Sequence, residues 1–290
     1  QRRLEAPAYA RFVGGGLDQV SSDLPGRDAF DRWVDARIER DENRPANRYV
    51  SRDMVGYEDL DDYGTWSQEP DYGWVWAPRV SVATWAPYRY GHWAWVAPWG
   101  WTWVDDAPWG FAPFHYGRWA YVGSRWCWVP GPVVRRPYYA PALVAFVGSP
   151  SVSFTVSTGP AVAWFPLSPW DAYRPVYRAS PTYVTRINRV VVVDRDPRRR
   201  PPEHYANRYV PGAATALPTR AFVEGRPVGR DHIGVPEREL RQGPIAGTMP
   251  TLAPVRNSLV GQASRQEAPP RRDRERQVVT TRMPPAPPVE

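Results

Sequence analysis

Residues 90–104 read Tyr90-Gly91-His92-Trp93-Ala94-Trp95-Val96-Ala97-Pro98-Trp99-Gly100-Trp101-Thr102-Trp103-Val104. Tryptophans take alternate positions in 93–96 and again in 101–104, so within each run they share one face of an extended strand. Between the runs, Ala97-Pro98-Trp99-Gly100 has turn chemistry. The stretch predicts a β-hairpin whose cross-strand partners are tryptophans, each pair worth about 0.5–1.5 kcal/mol beyond area burial.

Outward from this hairpin the pattern recurs. Tyr63-Gly64-Thr65-Trp66, Tyr90-Gly91-His92-Trp93 and Tyr116-Gly117-Arg118-Trp119 lie at offsets of 27 and 26 residues. Each is followed by an aromatic pair: Trp74 and Trp76, Trp101 and Trp103, Trp126 and Trp128. A third element, Trp85-Ala86-Pro87-Tyr88, returns as Phe111-Ala112-Pro113-Phe114, with an echo at Tyr139-Ala140-Pro141. Three elements sharing one offset mark an internal repeat. Proline cannot donate to a ladder, so the Ala-Pro element is expected as an edge strand or connector. The expected fold is mainly β: three Trp-rich antiparallel hairpin repeats in a small twisted sheet or partly closed barrel.

Composition agrees. The 290 residues include 16 Trp, 16 Tyr, 35 Pro and 22 Gly, and 13 of the tryptophans fall between Tyr63 and Gly131. Proline and glycine at this level disfavour a helical enzyme. One cysteine excludes an internal disulfide framework and a multi-cysteine metal site. No apolar run reaches the roughly 18 residues that read as a membrane-spanning helix.

Residues 1–27 are polar, contain Gly14-Gly15-Gly16, and are expected to be a linker or the end of something upstream. Residues 28–48 are expected as helix and connector. Asp28 can cap a helix whose stripe is Phe30, Trp33, Val34 and Ile38, and Pro45 should end it near Glu42 or Asn43. An acidic patch follows at Asp53, Glu58, Asp59, Asp61 and Asp62. The Trp-rich repeat domain is placed at 49–148 and an extension with further strands at 149–229. Within that extension, Val152, Phe154 and Val156 alternate with polar residues, Ala161 to Leu167 is apolar, and Val190 to Val193 is β-branched. From 230 to 290 a disordered Arg/Pro-rich tail is expected.

Charge follows the same division. All 37 basic residues are arginine. Residues 1–183 hold 18 Arg against 19 acidic groups, whereas 184–290 hold 19 against 11, so the net +7 belongs to the C-terminal third. A basic tail can bind nucleic acid or another polyanion, weakly and with strong salt dependence. The near-neutral aromatic block argues against a single-strand nucleic-acid platform.

Two runs carry a family resemblance. One is Tyr49-Val50-Ser51 with Met54-Val55-Gly56-Tyr57-Glu58-Asp59-Leu60-Asp61; the other is Trp99 to Trp119, with Asp105-Asp106-Ala107-Pro108-Trp109-Gly110 at its centre. Both resemble the bacterial domain of unknown function numbered six thousand six hundred, with further likeness at Tyr139–Gly148, Trp164–Leu167 and Pro211–Val228. Members of that family commonly follow a secretory signal and a FecR-type domain, so the resemblance implies export to the periplasm or cell envelope. It implies no activity.

Candidate sites are few. An exposed face of Trp93, Trp95, Trp101, Trp103, Trp119, Trp126 and Trp128 could stack on a sugar or aromatic ligand, with Arg118 or Arg125 adding cation–π contacts. Packing into a core is the preferred reading, since an exposed face of that size invites aggregation. Asp105, Asp106 and His115, or the acidic patch with His92, offer an acid–base set for a hydrolase, against which Asp105-Asp106-Ala107-Pro108 reads as an ordinary turn. Cys127 lies between Trp126 and Trp128 and should face away from them, without a nucleophile's partners. No two of His92, His115, His204 and His232 sit at metal-ligand spacing, so neither metal nor cofactor is expected. The chain reads as a non-catalytic, exported envelope protein with a structural or recognition role, its partner an envelope protein or a cell-wall glycan. A hydrolase and a polyanion binder acting through the tail are the alternatives.

Overall fold

Small residues opposite large ones decide how the aromatic hairpins close. The computed structural model describes residues 11–13, 18–21, 28–81, 84–148, 154–156, 159–189, 205–235, 237–246 and 251–260. A short antiparallel pair, β1 (Arg11–Val13) and β2 (Asp18–Ser21), lies within the stretch expected to be linker. Helix α1 (Ala29–Glu42) follows, with Asp28 accepting from the Asp31 amide and Asp31 accepting in return from the Asp28 amide. Its apolar stripe does not pack: Phe30, Trp33 and Ile38 are all more than half exposed.

After α2 (Leu60–Tyr63) come three hairpins: β3 (Gly64–Glu69) with β4 (Gly73–Pro78), β5 (Gly91–Val96) with β6 (Gly100–Asp105), and β7 (Arg118–Val122) with β8 (Arg125–Val129). The registers set Trp66 opposite Trp76, Trp93 opposite Trp103, Trp95 opposite Trp101, and Trp119 opposite Trp128. The first two loops close on left-handed glycines, Gly73 and Gly100; the third is the two-residue turn Gly123-Ser124 with both φ positive.

The glycine of each Tyr-Gly-x-Trp motif has a common cause. A Cβ on Gly64 would lie 2.1 Å from the Trp76 ring, one on Gly91 2.7 Å from Trp103, and one on Gly117 2.7 Å from Trp128. In each hairpin the indole of the second strand therefore lies across a position where only a hydrogen fits.

The hairpins do not form one sheet. The first and third join as β3-β4-β8-β7 through the Trp76–Trp128 pair, while β5-β6 stands as its own ladder, and the strands do not close into a barrel. Another segment bonds to one edge of the second hairpin, the Trp103 amide donating to the Pro141 carbonyl, while the Asp106 amide extends the hairpin's own ladder by donating to the Tyr90 carbonyl. The Ala-Pro elements are connectors rather than strands. One runs irregularly through 85–90 and the other is the short helix α3 (Phe111–His115). Their equivalent aromatics meet, with Tyr88 and Phe114 edge-to-face at 4.8 Å and the Tyr88 hydroxyl donating to the Phe114 carbonyl.

A second sheet completes the core. Central β11 (Gly159–Pro166) pairs with β9 (Val144–Val147), β10 (Phe154–Val156) and β12 (Thr215–Pro218). Short helices α5 (Thr219–Val223) and α6 (Val228–Asp231) flank it, while α4 (Pro181–Ile187) lies against the loop after β8, the Tyr183 hydroxyl donating to the Tyr139 carbonyl. Trp93 joins the two halves, within 5.7 Å of Phe146 and 5.4 Å of both Trp164 and Phe222.

Part of the stretch expected to be a disordered tail from 230 carries regular structure. After α7 (Glu237–Gln242), β13 (Ile245–Ala246) pairs with β9. Leu252 accepts the Trp101 indole proton at 3.1 Å, and α8 (Arg256–Val260) follows. Composition misled because a two-residue strand and one carbonyl anchor this segment to a core that the aromatics already build. Val190–Val193 and residues 261–290 lie outside the described residues.

Candidate ligand-binding pocket

The tryptophans nominated as a ligand face are core. Trp93, Trp103, Trp119 and Trp128 are 0% exposed, Trp101 and Trp126 are also buried, and Trp95 is half-buried against Trp101. Buried indole N–H groups need acceptors, and most find backbone carbonyls. Trp76 donates to Leu60, Trp119 to Pro113, Trp128 to Tyr116 and Trp164 to Tyr88, at 2.8–3.0 Å. Trp93 Nε1 has no partner among the described residues.

The acid–base candidates are each tied to separate partners. Asp105 accepts from Trp103 Nε1 through one oxygen and from the Ala107 amide through the other, both at 3.0 Å. Burial raises its carboxyl to about 7 against the pull of these donors. Asp106 is exposed. His115 is buried, its Nδ1 2.8 Å from the Ala140 carbonyl and its ring stacked on Tyr139; burial lowers it to about 4. His92 is half-buried and shifted down by burial, with Asp106 opposing. Among the described residues no hydrogen bond links His115 to Asp105.

Cys127 turns away from its tryptophan neighbours as expected, into a small cluster with Val75, Ala77, Ala120 and Val129, and burial raises its thiol. Arg125 reaches Ser67 and Glu69. Arg118, nominated for a cation–π contact, is 1% exposed and held by the carbonyls of Gly117 and Ile187 and by Asn188 Oδ1. No cluster of three or more His, Cys, Asp or Glu side chains with metal-binding geometry occurs among the described residues.

A recess of about 510 Å³ lies elsewhere, where segments far apart in sequence meet. Tyr49, Val50, Ser51 and Met54 line one side, and Tyr116 and Gly117 lead into β7. The loop after β8 supplies Pro130 to Pro132, then Val134 to Tyr138 with Arg135 and Arg136; the end of α4 supplies Arg186, Ile187 and Arg189. Four guanidinium groups thus line the recess, and among the described residues no carboxylate does.

Local structure holds both cationic segments. Pro137 restricts Arg136 to extended backbone, and beyond the loop the Ala140 amide donates to the His115 carbonyl at 2.9 Å. At the end of α4, Asn188 Nδ2 donates to the Val184 and Tyr173 carbonyls, while its Oδ1 accepts from the Tyr173 amide and Arg118. Arg186 lies over the Tyr138 ring at 5.8 Å and donates to its hydroxyl at 2.5 Å. Behind the wall, burial lowers Arg118 to about 10, and its Nε has no partner among the described residues.

Sequence reasoning missed this pocket because Arg135-Arg136 and Arg186-x-x-Arg189 each look like a solvated basic pair. Only the packing of α4 against the loop after β8 brings them together.

Residues 57–171 match the model of DUF6600, a family of unknown function. The DUF6600 span contains all three hairpins and most of the recess wall, including Tyr116, Arg135, Arg136 and Tyr138; Arg186 and Arg189 lie beyond it. No curated protein and no solved structure matches the chain. Among the described residues, no helix is long and apolar enough to cross a membrane.

Proposed function

We propose that this is a non-catalytic, exported, envelope-associated protein whose DUF6600 region serves recognition or structure. One observation carries the reading: Asp105, His115 and Cys127 are held apart in separate packed surroundings, whereas the 510 Å³ recess presents groups suited to binding. Asp105, His115 and Cys127 each spend their polar atoms or their burial on packing, and none faces another across a cleft. The recess offers tyrosine rings, proline edges and guanidinium groups, which hold a ligand without reacting with it. Export rests on the sequence resemblance to proteins that carry a secretory signal and a FecR-type domain.

Two measurements test the proposal. Fractionation of cells making the full-length gene product should place the protein in the envelope or periplasm; recovery with cytoplasmic markers would refute export. Calorimetric titration against cell-wall glycans and envelope proteins should give a saturable ligand. Silence across the panel would leave only a structural role.

A further inference from the structure

We infer that the recess between the loop after β8 and the end of α4 binds a saccharide bearing carboxylate or phosphate groups. The inference rests on the recognition reading above and names its ligand class. Arg135, Arg136, Arg186 and Arg189 converge on one cavity, and none of the four forms an ion pair with a carboxylate among the described residues. Elsewhere on the protein guanidinium groups do find acids: Arg44 with Asp41, Arg125 with Glu69, Arg226 with Glu224, Arg241 with Glu237. Four cations gathered with no carboxylate among the described residues to neutralise them repel one another and focus a positive potential into the recess, which an anionic ligand relieves.

The remaining lining selects for a body as well as a charge. Tyr116, Tyr138 and Met54 add ring and thioether surface to the cationic lining. Such a surface suits the C–H face of a sugar ring, and a free inorganic ion would leave it unused. About 510 Å³ falls within the range for a small-molecule site and has room for one or two sugar units. The Arg186 guanidinium is already oriented by Tyr138, and the α4 terminus is fixed by Asn188, so little ordering is lost on binding.

The test is calorimetric titration of the whole chain with oligogalacturonate, its methyl ester and inorganic phosphate, at low and at high salt. The acidic oligosaccharide should bind, weaken steeply with salt, and lose at least tenfold in affinity in R186Q/R189Q and in R135Q/R136Q. All four side chains are exposed, and unchanged thermal unfolding will show that the variants fold. Phosphate competing only at much higher concentration supports a site for an acidic sugar, whereas phosphate binding as tightly as the oligosaccharide overturns the saccharide part. Equal binding of the methyl ester, unaffected by the substitutions, overturns the inference while leaving recognition standing. No binding of any probe at low salt overturns the inference, and the titration against cell-wall glycans and envelope proteins then decides the recognition reading separately.

Discussion

His115 is a group whose ionisation the fold resists, and replacing it by asparagine isolates that resistance. The residue is 4% exposed, its ring against Tyr139 at 4.9 Å and Phe111 at 4.6 Å. The carbonyls of Ala140 and Pro141 favour the charged ring, but burial outweighs them and brings its pKa to about 4 from an ordinary 6.5. A base whose folded pKa is depressed contributes stability that is complete above the unfolded pKa and is lost as pH falls toward the folded one. Below about 6.5 the unfolded chain takes up a proton that the folded chain refuses. Linkage gives a loss of about 2 kcal/mol by pH 5 and about 3 kcal/mol by pH 4.

In His115→Asn the amide can take the place of Nδ1–H toward Ala140 and cannot become charged. At pH 7 the variant should be less stable by about 1–2 kcal/mol, from lost ring contacts and volume. On acidification the wild-type protein should lose this lead, and the two stabilities should cross near pH 5. Urea unfolding of both proteins from pH 7 to pH 4 reads this directly, since other titrating groups cancel in the difference. A difference that stays constant across that range would refute burial of a neutral imidazole.

Gly91→Ala should destabilise by about 1–3 kcal/mol, because its Cβ would lie 2.3 Å from the Val104 carbonyl oxygen; thermal unfolding against Gly234→Ala, which meets nothing within 4 Å, separates the clash from loss of glycine as such. Trp128→Phe should cost about 1 kcal/mol more than Trp93→Phe in urea unfolding, because it strands the Tyr116 carbonyl whereas Trp93 Nε1 has no partner among the described residues. Equal losses would count against that accounting. Cys127 should react with a thiol reagent only at the rate of unfolding, given its burial; labelling in native buffer at the rate of a free thiol would contradict its placement.

The period-two tryptophans were enough to read the hairpins, because alternation, turn residues and the Tyr-Gly-x-Trp spacing are local signals. So was the cap at Asp28. Separation of the second hairpin from the other two was not legible. It follows from Trp93 meeting Phe146, Trp164 and Phe222, residues 53 to 129 positions later. The motif glycines were visible as a pattern, but their cause needed the register that lays Trp76, Trp103 and Trp128 across them. Helix α1 shows the converse failure, with a clear apolar stripe of which Phe30, Trp33 and Ile38 stay exposed.

Charge bears most directly on function. Summed along the sequence, residues 1–183 are almost neutral and the excess belongs to residues 184–290, which points to a diffuse basic tail as any anion's target. Folding redistributes it. Two arginines from the near-neutral part and two from just past its end line one cavity, while the acidic groups around residues 58–62 gather beside Arg44, which bonds the Glu58 carbonyl and reaches Asp62. The segregation is a property of the tertiary structure, and a net charge cannot register it. Anion binding by the folded region and by the tail therefore separate: removing residues 261–290 should leave binding at the recess intact, whereas R186Q/R189Q should weaken it in the full chain and the truncated chain alike. If truncation alone abolished binding, the tail would be the anion site and the four arginines merely solvated.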